Sequence, residues 1–507
     1  MSIQVPKPDE ILSIAHDYGF DLTPDELRGI IGFMGEIKQS YDALDQLAEP
    51  SLPVKYPRTP GHRPTKDENP YNAWYWKTDI AGAAEGPLKG KQIAVKDNIC
   101  VADIPMMNGS RLLEGYVPEV DATVITRILD AGGMIVGKAV CEDLCLSGAS
   151  HTAKGGPVRN PRRPTHSSGG SSSGSAAVLA SGDADMALGS DQGGSIRIPS
   201  SWSGVYGLKP TYGLVPYTGI FPIELTLDHC GPMANSVADV AALLAVIAGC
   251  DGLDPRQVDV RVDDYVGAVQ NAEARGMRIG LVKEGFGHPE SEAVVDAKVQ
   301  RAADRFVALG AAVTEVSIPM HLTGYNIWAT ILLEGSTDLM FRGHGMGTNW
   351  QGYYTTSLLE AFARGFNTHP NDLAETGKLN LLMAEYVRKQ QYGRYYAKAQ
   401  NLRPLLREAY NIALREFDVL LMPTVPFRAT EIPPADHRFE ETVSRARDRI
   451  DANTGLFDAT GHPALSVPCG LADDLPIGMM VIGRHWEDST VLRAGQAFAA
   501  ATDWTEL

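Results

Sequence analysis

Two clusters of glycine and serine stand out in the stretch THSSGGSSSGSAAVLASGDADMALGSDQGGSIRIPS, which spans residues 165–200. The first cluster, Gly169 to Gly174, runs directly into an apolar helical pattern. The second, Gly193 to Ser195, is followed by Ile-Arg-Ile-Pro. A flexible linker of glycine and serine would stay polar on both sides, so these clusters do not have the character of a linker.

Neither of two common glycine-rich motifs fits these clusters. A Walker phosphate-binding loop requires a lysine after its glycines, and no lysine follows either cluster. A nucleophile elbow would match Gly170 to Gly174, with Ser172 at its centre, but it requires a strand directly before it. The preceding residues 159–166 include Pro161 and Pro164, so they are not expected to form a central strand.

Outside the clusters, short apolar runs alternate with helical patterns. Ile93 to Val95 is predicted to be a strand that ends at Lys96, and further strands are predicted at residues 134–136, 279–282 and 419–422. Helices are predicted between them, at residues 122–130, 171–180 and 292–309. This alternation predicts an α/β fold with a mixed, parallel-rich central sheet that is covered by helices.

Several motifs, in a fixed order along the chain, resemble the amidase signature family. They are the two clusters, the lysine segment Val95 to Asn98, and the segments 207–211, 227–232 and 461–464. The resemblance extends over most of the chain and implies the amidase signature fold. The N-terminal residues and the segment 139–145 resemble a narrower group, the bacterial enantioselective amidases linked to nitrile hydratases, which implies a role in nitrile degradation.

The resemblance implies a catalytic triad of serine, cis-peptide serine and lysine. Ser195 matches the nucleophile, Ser171 the serine at the cis peptide bond, and Lys96 the base. A lysine at the end of a strand is commonly solvated, but a base must be a neutral amine, which burial favours. We therefore expect Lys96 to be buried among hydroxyl groups and glycine backbone.

The glycines before Ser195 have a physical role of their own. They leave the backbone unhindered, so amide groups of Gln192, Gly193, Gly194 and Ser195 can converge on an oxyanion. Asp191 lies directly before this loop and Arg197 shortly after it, and we expect the two to form an ion pair that braces it.

The resemblance also implies walls of a substrate pocket, at Leu146, Trp328 and Ile450. The twelve histidines are scattered without a metal-binding spacing, so no metal and no other cofactor is expected. Among them, His166 and His229 are interpreted as structural. Cys141 and Cys145 are interpreted as small buried hydrophobic residues.

The chain is predicted to contain two domains. Residues 1–72 form an N-terminal helical domain with a proline-rich strap, and residues 73–507 form the catalytic domain, into which a helical subdomain is inserted at residues 324–417. A capping box from Thr23 to Glu26 begins a long helix. Its apolar residues recur with heptad-like spacing from Leu27 to Leu44. Such a seam packs either on the body of the same chain or against a partner helix, and we expect the second, a homodimer with these helices at or near its interface.

Composition excludes several functional classes. The 507 residues include 45 Lys+Arg and 62 Asp+Glu, a formal net charge of −17, which argues against nucleic acid as a partner. Six cysteines are too few for a disulfide framework in a chain of this length, and no signal peptide or membrane-spanning segment is apparent. A cytoplasmic protein without a membrane partner is therefore expected.

These observations lead to one functional hypothesis and three rivals. The hypothesis is an amidase that converts a small-molecule carboxylic amide to carboxylate and ammonia through an acyl-enzyme on Ser195. A membrane-associated fatty acid amide hydrolase and a glutamine-hydrolysing amidotransferase subunit share the implied core. A catalytically inactive scaffold of the same fold would also match, although it need not retain Lys96, Ser171 and Ser195. The sequence does not identify the acyl group.

Overall fold

The computed structural model describes residues 3–349, 351–434, 436, 438–447 and 449–507. The chain divides into two compact units, one ending at Pro53 and one running from Val54 to Leu507. The proline-rich segment after Val54 belongs to the second unit, in which Tyr56 donates a hydrogen bond of 2.8 Å to Asp130. The predicted boundary at residue 72 therefore falls inside the second unit.

The first unit contains two helices, α1 (Pro8–Asp17) and α2 (Pro24–Leu44). The predicted capping box begins α2: the Thr23 hydroxyl accepts from the amide of Glu26 at 3.3 Å, and the Glu26 carboxylate accepts from the amide of Thr23 at 2.8 Å. No residue of α2, all of which the structure describes, is fully buried within the chain.

The second unit is rich in helices. In the described part of the chain they are α3 (Thr123–Asp130), α4 (Ser173–Ser181), α5 (Arg197–Ser203), α6 (Val237–Ile247), α7 (Tyr265–Val269), α8 (Ala293–Ala308), α9 (His321–Ser336), α10 (Thr356–Thr368), α11 (Glu375–Gln391), α12 (Arg394–Glu416), α13 (Phe439–Arg447), α14 (Gly455–Thr460) and α15 (Asp488–Ala501). The predicted helices at residues 122–130, 171–180 and 292–309 correspond to α3, α4 and α8.

The strands of the second unit form a central sheet and a small hairpin. They are β1 (Trp74–Ala81), β2 (Gln92–Lys96), β3 (Met134–Ala139), β4 (Arg159–Asn160), β5 (Arg163–Ser167), β6 (Met186–Asp191), β7 (Tyr206–Lys209), β8 (His229–Ala234), β9 (Arg278–Val282), β10 (Ala312–Val316), β11 (Val419–Pro423), β12 (Ala464–Ala472) and β13 (Leu475–Ile482). The hairpin is β4–β5, and it lies apart from the central sheet.

The central sheet is mixed, as predicted, and its strand order is β1-β3-β2-β6-β8-β7-β12-β13-β11-β9-β10. Parallel pairs lie toward its two flanks, β3-β2-β6 on one side and β11-β9-β10 on the other. The strands between these flanks are antiparallel. A short turn at Asp473 and Asp474 joins β12 to β13, and such a turn can only join antiparallel neighbours. The alternation of strands and helices in the sequence does not reveal this middle section.

The parallel pairing of β2 with β6 sets the position of Lys96 relative to the second glycine–serine cluster. Carboxyl ends of neighbouring parallel strands lie at the same edge of a sheet. Lys96 ends β2 and Asp191 ends β6, so the lysine lies beside the loop that follows β6. The first glycine–serine cluster leads into α4, which begins at the same edge.

Helices α9 to α12 come from the region predicted as a helical insertion. α9 packs against α12 and α14, and the apolar contacts between them include Trp328, Ile331, Leu406 and Phe457. These contacts bring a distant part of the sequence over the sheet edge that holds Lys96. Among the helices that the structure describes, none is both long enough and apolar enough to cross a membrane.

Candidate active site

Lys96 is fully buried at the end of β2. Its Nζ lies 2.8 Å from Ser171 Oγ and 2.9 Å from Ser190 Oγ, and 3.3 Å from the carbonyl oxygen of Ser190. Asn98 donates to Ser190 Oγ at 3.0 Å and so fixes that hydroxyl. The solvated alternative for Lys96 does not apply, because hydroxyl and carbonyl oxygens surround its amine.

Ser171 lies in the turn that precedes α4, and it is also fully buried. The peptide bond between Gly170 and Ser171 is cis. The carbonyl of Ser171 accepts from the amide of Glu142 at 3.2 Å, and the amide of Ser172 donates to the carbonyl of Ser195 at 3.1 Å. These backbone hydrogen bonds hold the turn of Ser171 against the loop of Ser195.

Ser172, the centre of the alternative elbow motif, has a different environment. Its hydroxyl donates to the carbonyl of Ser190 at 3.3 Å, and its side chain is fully buried. The strand before it, β5, forms a two-stranded sheet with β4 and is not part of the central sheet. The local structure therefore lacks the strand–turn–helix arrangement that a nucleophile elbow requires.

An ion pair braces the loop that contains Ser195. Arg197 donates from Nε and Nη2 to the two carboxylate oxygens of Asp191, at 3.0 and 2.9 Å, which confirms the predicted pair. Arg197 Nη2 also donates to Asp458 Oδ2 at 2.7 Å, and Nη1 donates to the carbonyl of Thr454 at 2.9 Å. Burial alone would raise the pKa of Asp191, but the charge and hydrogen bonds of Arg197 lower it far below its usual range.

We call residues 192–195 the oxyanion loop. Within it, the amide of Gly194 donates to Asp191 Oδ1 at 2.5 Å, so this predicted oxyanion donor is already occupied. The amides of Gln192, Gly193 and Ser195 have no acceptor among the described residues. Three of the four predicted donors are therefore free to bind an oxygen atom of a ligand.

A cavity of about 410 Å³ opens onto the oxyanion loop and Ser195. The structure places the three predicted wall residues, Leu146, Trp328 and Ile450, on its surface. Further lining residues, which sequence reasoning missed, come from α9, α11, α13 and neighbouring loops. They include Cys145, Ile223, Tyr325, Leu332, Leu379, Asn380, Met383, Val443 and Asp451. The cavity is mostly apolar.

Two of these missed residues, Cys145 and Asp451, bear groups that can ionise. Cys145 lines the cavity, and its thiol donates a weak hydrogen bond of 3.3 Å to Asn108 Oδ1. The same oxygen accepts a weak hydrogen bond of 3.4 Å from Cys141. Burial raises the pKa of Asp451 to about 7, and its Oδ1 has no hydrogen-bond partner among the described residues. Nothing in their local sequence distinguishes these two residues from core positions.

Neither His166 nor His229 lines the cavity. His229 is buried beside Leu227, whose carbonyl lies 2.7 Å from its Nδ1, and burial lowers its pKa well below the usual value. His166 forms an isolated β-bridge with Glu431. Among the described residues, no group of three or more histidine, cysteine or acidic side chains could hold a metal ion.

Comparison with known proteins relates this arrangement to one family. Residues 61–492 match the model of the family described as Amidase. An enantioselective amidase from Rhodococcus rhodochrous is 44% identical over 498 residues, which cover 97% of this chain and 95% of that protein.

Two further relatives share the fold or the sequence more distantly. One subunit of the glutamyl-tRNA(Gln) amidotransferase from Methanosarcina acetivorans is 38% identical over 438 residues, covering 84% of this chain and 87% of that protein. The crystal structure of a peptide amidase from Stenotrophomonas maltophilia superimposes with a TM-score of 0.66 at 31% identity, covering 82% of this chain and 83% of that one. Because the family model spans most of the sequence, the chain belongs to the amidase family.

Proposed function

We propose that this protein hydrolyses the carbon–nitrogen bond of a carboxylic amide, with Ser195 as nucleophile, Ser171 as proton relay and Lys96 as base. One observation supports this most directly: the 2.8 Å hydrogen bond between the buried Lys96 Nζ and Ser171 Oγ, next to a loop with free amides. A buried amine beside a hydroxyl chain can accept a proton without a histidine.

The surroundings of Lys96 are consistent with a base. A neutral amine has two protons and one lone pair. Two oxygens of Ser190, the hydroxyl at 2.9 Å and the carbonyl at 3.3 Å, can accept the two protons. The lone pair is then directed to the Ser171 hydroxyl.

In the first half-reaction, Ser195 Oγ attacks the amide carbon and its proton passes to Ser171, whose own proton passes to Lys96. The negative charge that develops on the substrate oxygen is stabilised by free amides of the oxyanion loop. Lys96 then returns the proton through Ser171 to the leaving nitrogen. The carbon–nitrogen bond breaks, ammonia departs, and the acyl group remains on Ser195.

In the second half-reaction, water attacks the acyl carbon. The same relay accepts the proton of the water and returns a proton to Ser195 Oγ as the ester bond breaks. The products are a carboxylic acid and the regenerated serine. No step consumes a reductant or a metal-bound group.

The chemistry of the cavity favours an apolar acyl group. A volume of about 410 Å³ lies in the range of pockets for small organic ligands, and the side chains of residues such as Leu332, Val443 and Ile450 present hydrocarbon to the cavity.

The direct test of the proposed function is ammonia release from acetamide, benzamide, a branched chiral amide and glutamine. We expect benzamide and the branched amide to exceed acetamide in kcat/KM. Absence of ammonia from every amide would contradict the proposed function.

Asp451 makes substrate preference depend on pH. Because its pKa is raised to about 7, the side chain is neutral below that pH and anionic above it. A neutral aromatic amide leaves the anion unpaired, so its KM should rise roughly tenfold between about pH 6 and about pH 8. An amide with a cationic acyl group should show the opposite trend. Asp451→Asn should remove both trends, and persistence of both in that variant would contradict this role.

A glutamine-hydrolysing amidotransferase subunit remains the second candidate. The amidotransferase relative supports it, with 38% identity over 84% of this chain. Glutamine carries an ammonium and a carboxylate group, which a mostly apolar cavity would have to desolvate. Glutamine as the preferred member of the substrate panel would favour this candidate over the amidase.

We also propose a homodimer formed through the first unit. In this unit, Ile30, Phe33, Tyr41 and Leu44 are 39%, 59%, 49% and 63% exposed, an unusual concentration of exposed apolar side chains on one helix. We expect light scattering to give a dimer for the full chain at micromolar concentration, and Phe33→Glu to weaken it. A monomeric full chain would contradict this proposal.

A cytoplasmic location and a role in nitrile degradation complete the proposal. Six free cysteines, one of them exposed, are consistent with a reducing compartment. Nitrile hydration yields primary amides, the substrate class proposed above. Cell fractionation tests the first point, and ammonia release from amides that a nitrile hydratase has just formed tests the second.

A further inference from the structure

We propose that Trp328 is a positioning residue for the oxyanion loop, and that it directs the amide of Gly193 toward the substrate oxygen. The family resemblance implies for Trp328 only a role as a wall of the pocket. The inference rests on the proposed function, because it concerns how the loop stabilises the oxyanion.

The first observation is a hydrogen bond to the loop. Trp328 is 3% exposed, and its indole Nε1 donates to the carbonyl of Gln192 at 2.7 Å. The adjacent carbonyl, that of Gly193, accepts from Thr454 Oγ1 at 2.6 Å. Two consecutive carbonyls of the loop are thus held by side chains from distant parts of the sequence.

Because the peptide group is planar, a hydrogen bond that holds a carbonyl also fixes the direction of the next N–H group. In a trans peptide, the carbonyl of one residue and the N–H of the next point in opposite directions within one plane. The indole bond to Gln192 therefore fixes the N–H of Gly193. In the next peptide, Thr454 holds the carbonyl of Gly193 and Asp191 holds the N–H of Gly194. Only the first of these two peptides has its N–H free.

Close packing restricts the position of the indole. A Cβ atom on Gly193 would lie 2.4 Å from Trp328 Cζ2, and a Cβ atom on Gly455 would lie 2.5 Å from Trp328 Cδ2, so both would overlap the indole. The Tyr325 ring lies 5.5 Å from that of Trp328, centroid to centroid. The indole thus packs directly against two glycine positions at which no side chain would fit, and this packing restricts the geometry of its hydrogen bond.

The test separates two effects of Trp328: its hydrogen bond to the carbonyl of Gln192 and its volume as a wall of the cavity. Trp328→Phe removes the N–H and some volume, whereas 3-benzothienylalanine at position 328 removes the N–H and keeps the shape. Because deletion of an oxyanion donor lowers kcat by about 10²–10³-fold, misdirection of one should lower kcat by about 10- to 100-fold in both variants. KM should stay within about threefold, since the ground-state carbonyl depends less on the donor.

A transition-state analogue gives a readout that a merely structural role would not change. An aldehyde with the acyl group of the substrate adds to Ser195 and places its oxygen in the oxyanion loop, while the matching alcohol cannot. Both variants should bind the aldehyde about 10- to 100-fold more weakly and the alcohol with unchanged affinity. Leu332→Ala, a wall change on the same helix without a bond to the loop, should weaken both ligands equally.

Two outcomes would overturn the inference. One is a benzothienylalanine variant with the kcat and aldehyde affinity of the natural protein. The other is equal weakening of aldehyde and alcohol, as for Leu332→Ala. Either result leaves the proposed function intact if Ser195→Ala is inactive. If Ser195→Ala retains activity, the proposed function fails, whatever Trp328 does.

Discussion

Ser195→Ala is expected to lower kcat for amide hydrolysis by at least about 10⁴-fold while the protein remains folded. The hydroxyl is the only group removed, and its loss eliminates the acyl-enzyme. Ser195 is 8% exposed and lines the cavity, so its replacement leaves no large internal void. The measurement is ammonia release with enzyme in excess, together with the melting temperature.

Ser172→Ala is the matched control, because it removes a hydroxyl from the same cluster. Its side chain donates to the carbonyl of Ser190 and does not line the cavity that contains Ser195. This variant should retain most of the activity. An active Ser195→Ala with an inactive Ser172→Ala would reverse the assignment of the nucleophile and revive the elbow motif.

Lys96→Met is expected to lower kcat/KM by about 10²–10⁴-fold, the usual contribution of a general base. Methionine has a similar length and no lone pair that can accept the serine proton. The measurement is kcat/KM for one neutral amide, together with the melting temperature of the variant. A folded Lys96→Met variant with the kcat/KM of the natural protein would contradict the assignment of Lys96 as the base.

Histidine variants provide the control for the assignment of Lys96 as the base. Burial lowers the pKa of His166, and that of His229 lies well below its usual value for the same reason. His166→Gln and His229→Gln should retain most of the activity of the natural protein. If either variant lost activity while Lys96→Met retained it, a histidine would be the base.

The resemblance to the amidase signature family predicted the residues proposed for the reaction, and the local sequence is consistent with it because these residues lie at ends of strands or in glycine-rich turns. Lys96 follows an apolar run that has the length of a strand, and Ser195 follows glycines that only a tight loop would require. Both features can be recognised within a few neighbouring residues. The parallel pairing of β2 and β6 then brings the two loops together.

Other parts of the site depend on contacts between distant residues, which no local pattern contains. The hydrogen bond between Trp328 and Gln192 spans 136 residues, and the one between Thr454 and Gly193 spans 261. Asp451 has a raised pKa only because the folded chain buries it. The antiparallel middle of the sheet was missed for a related reason, since strand order is set by tertiary pairing.

The strand order also has a consequence for synthesis on the ribosome. The last two strands made, β12 and β13, occupy the middle of the sheet and separate β7 from β11. Until they emerge, the earlier strands can form only two partial sheets with open edges at β7 and β11. Unpaired edges of this kind invite pairing with other nascent chains. Completion of the central sheet therefore waits for residues 464–482, and translation that stops before residue 464 leaves two partial sheets prone to aggregation.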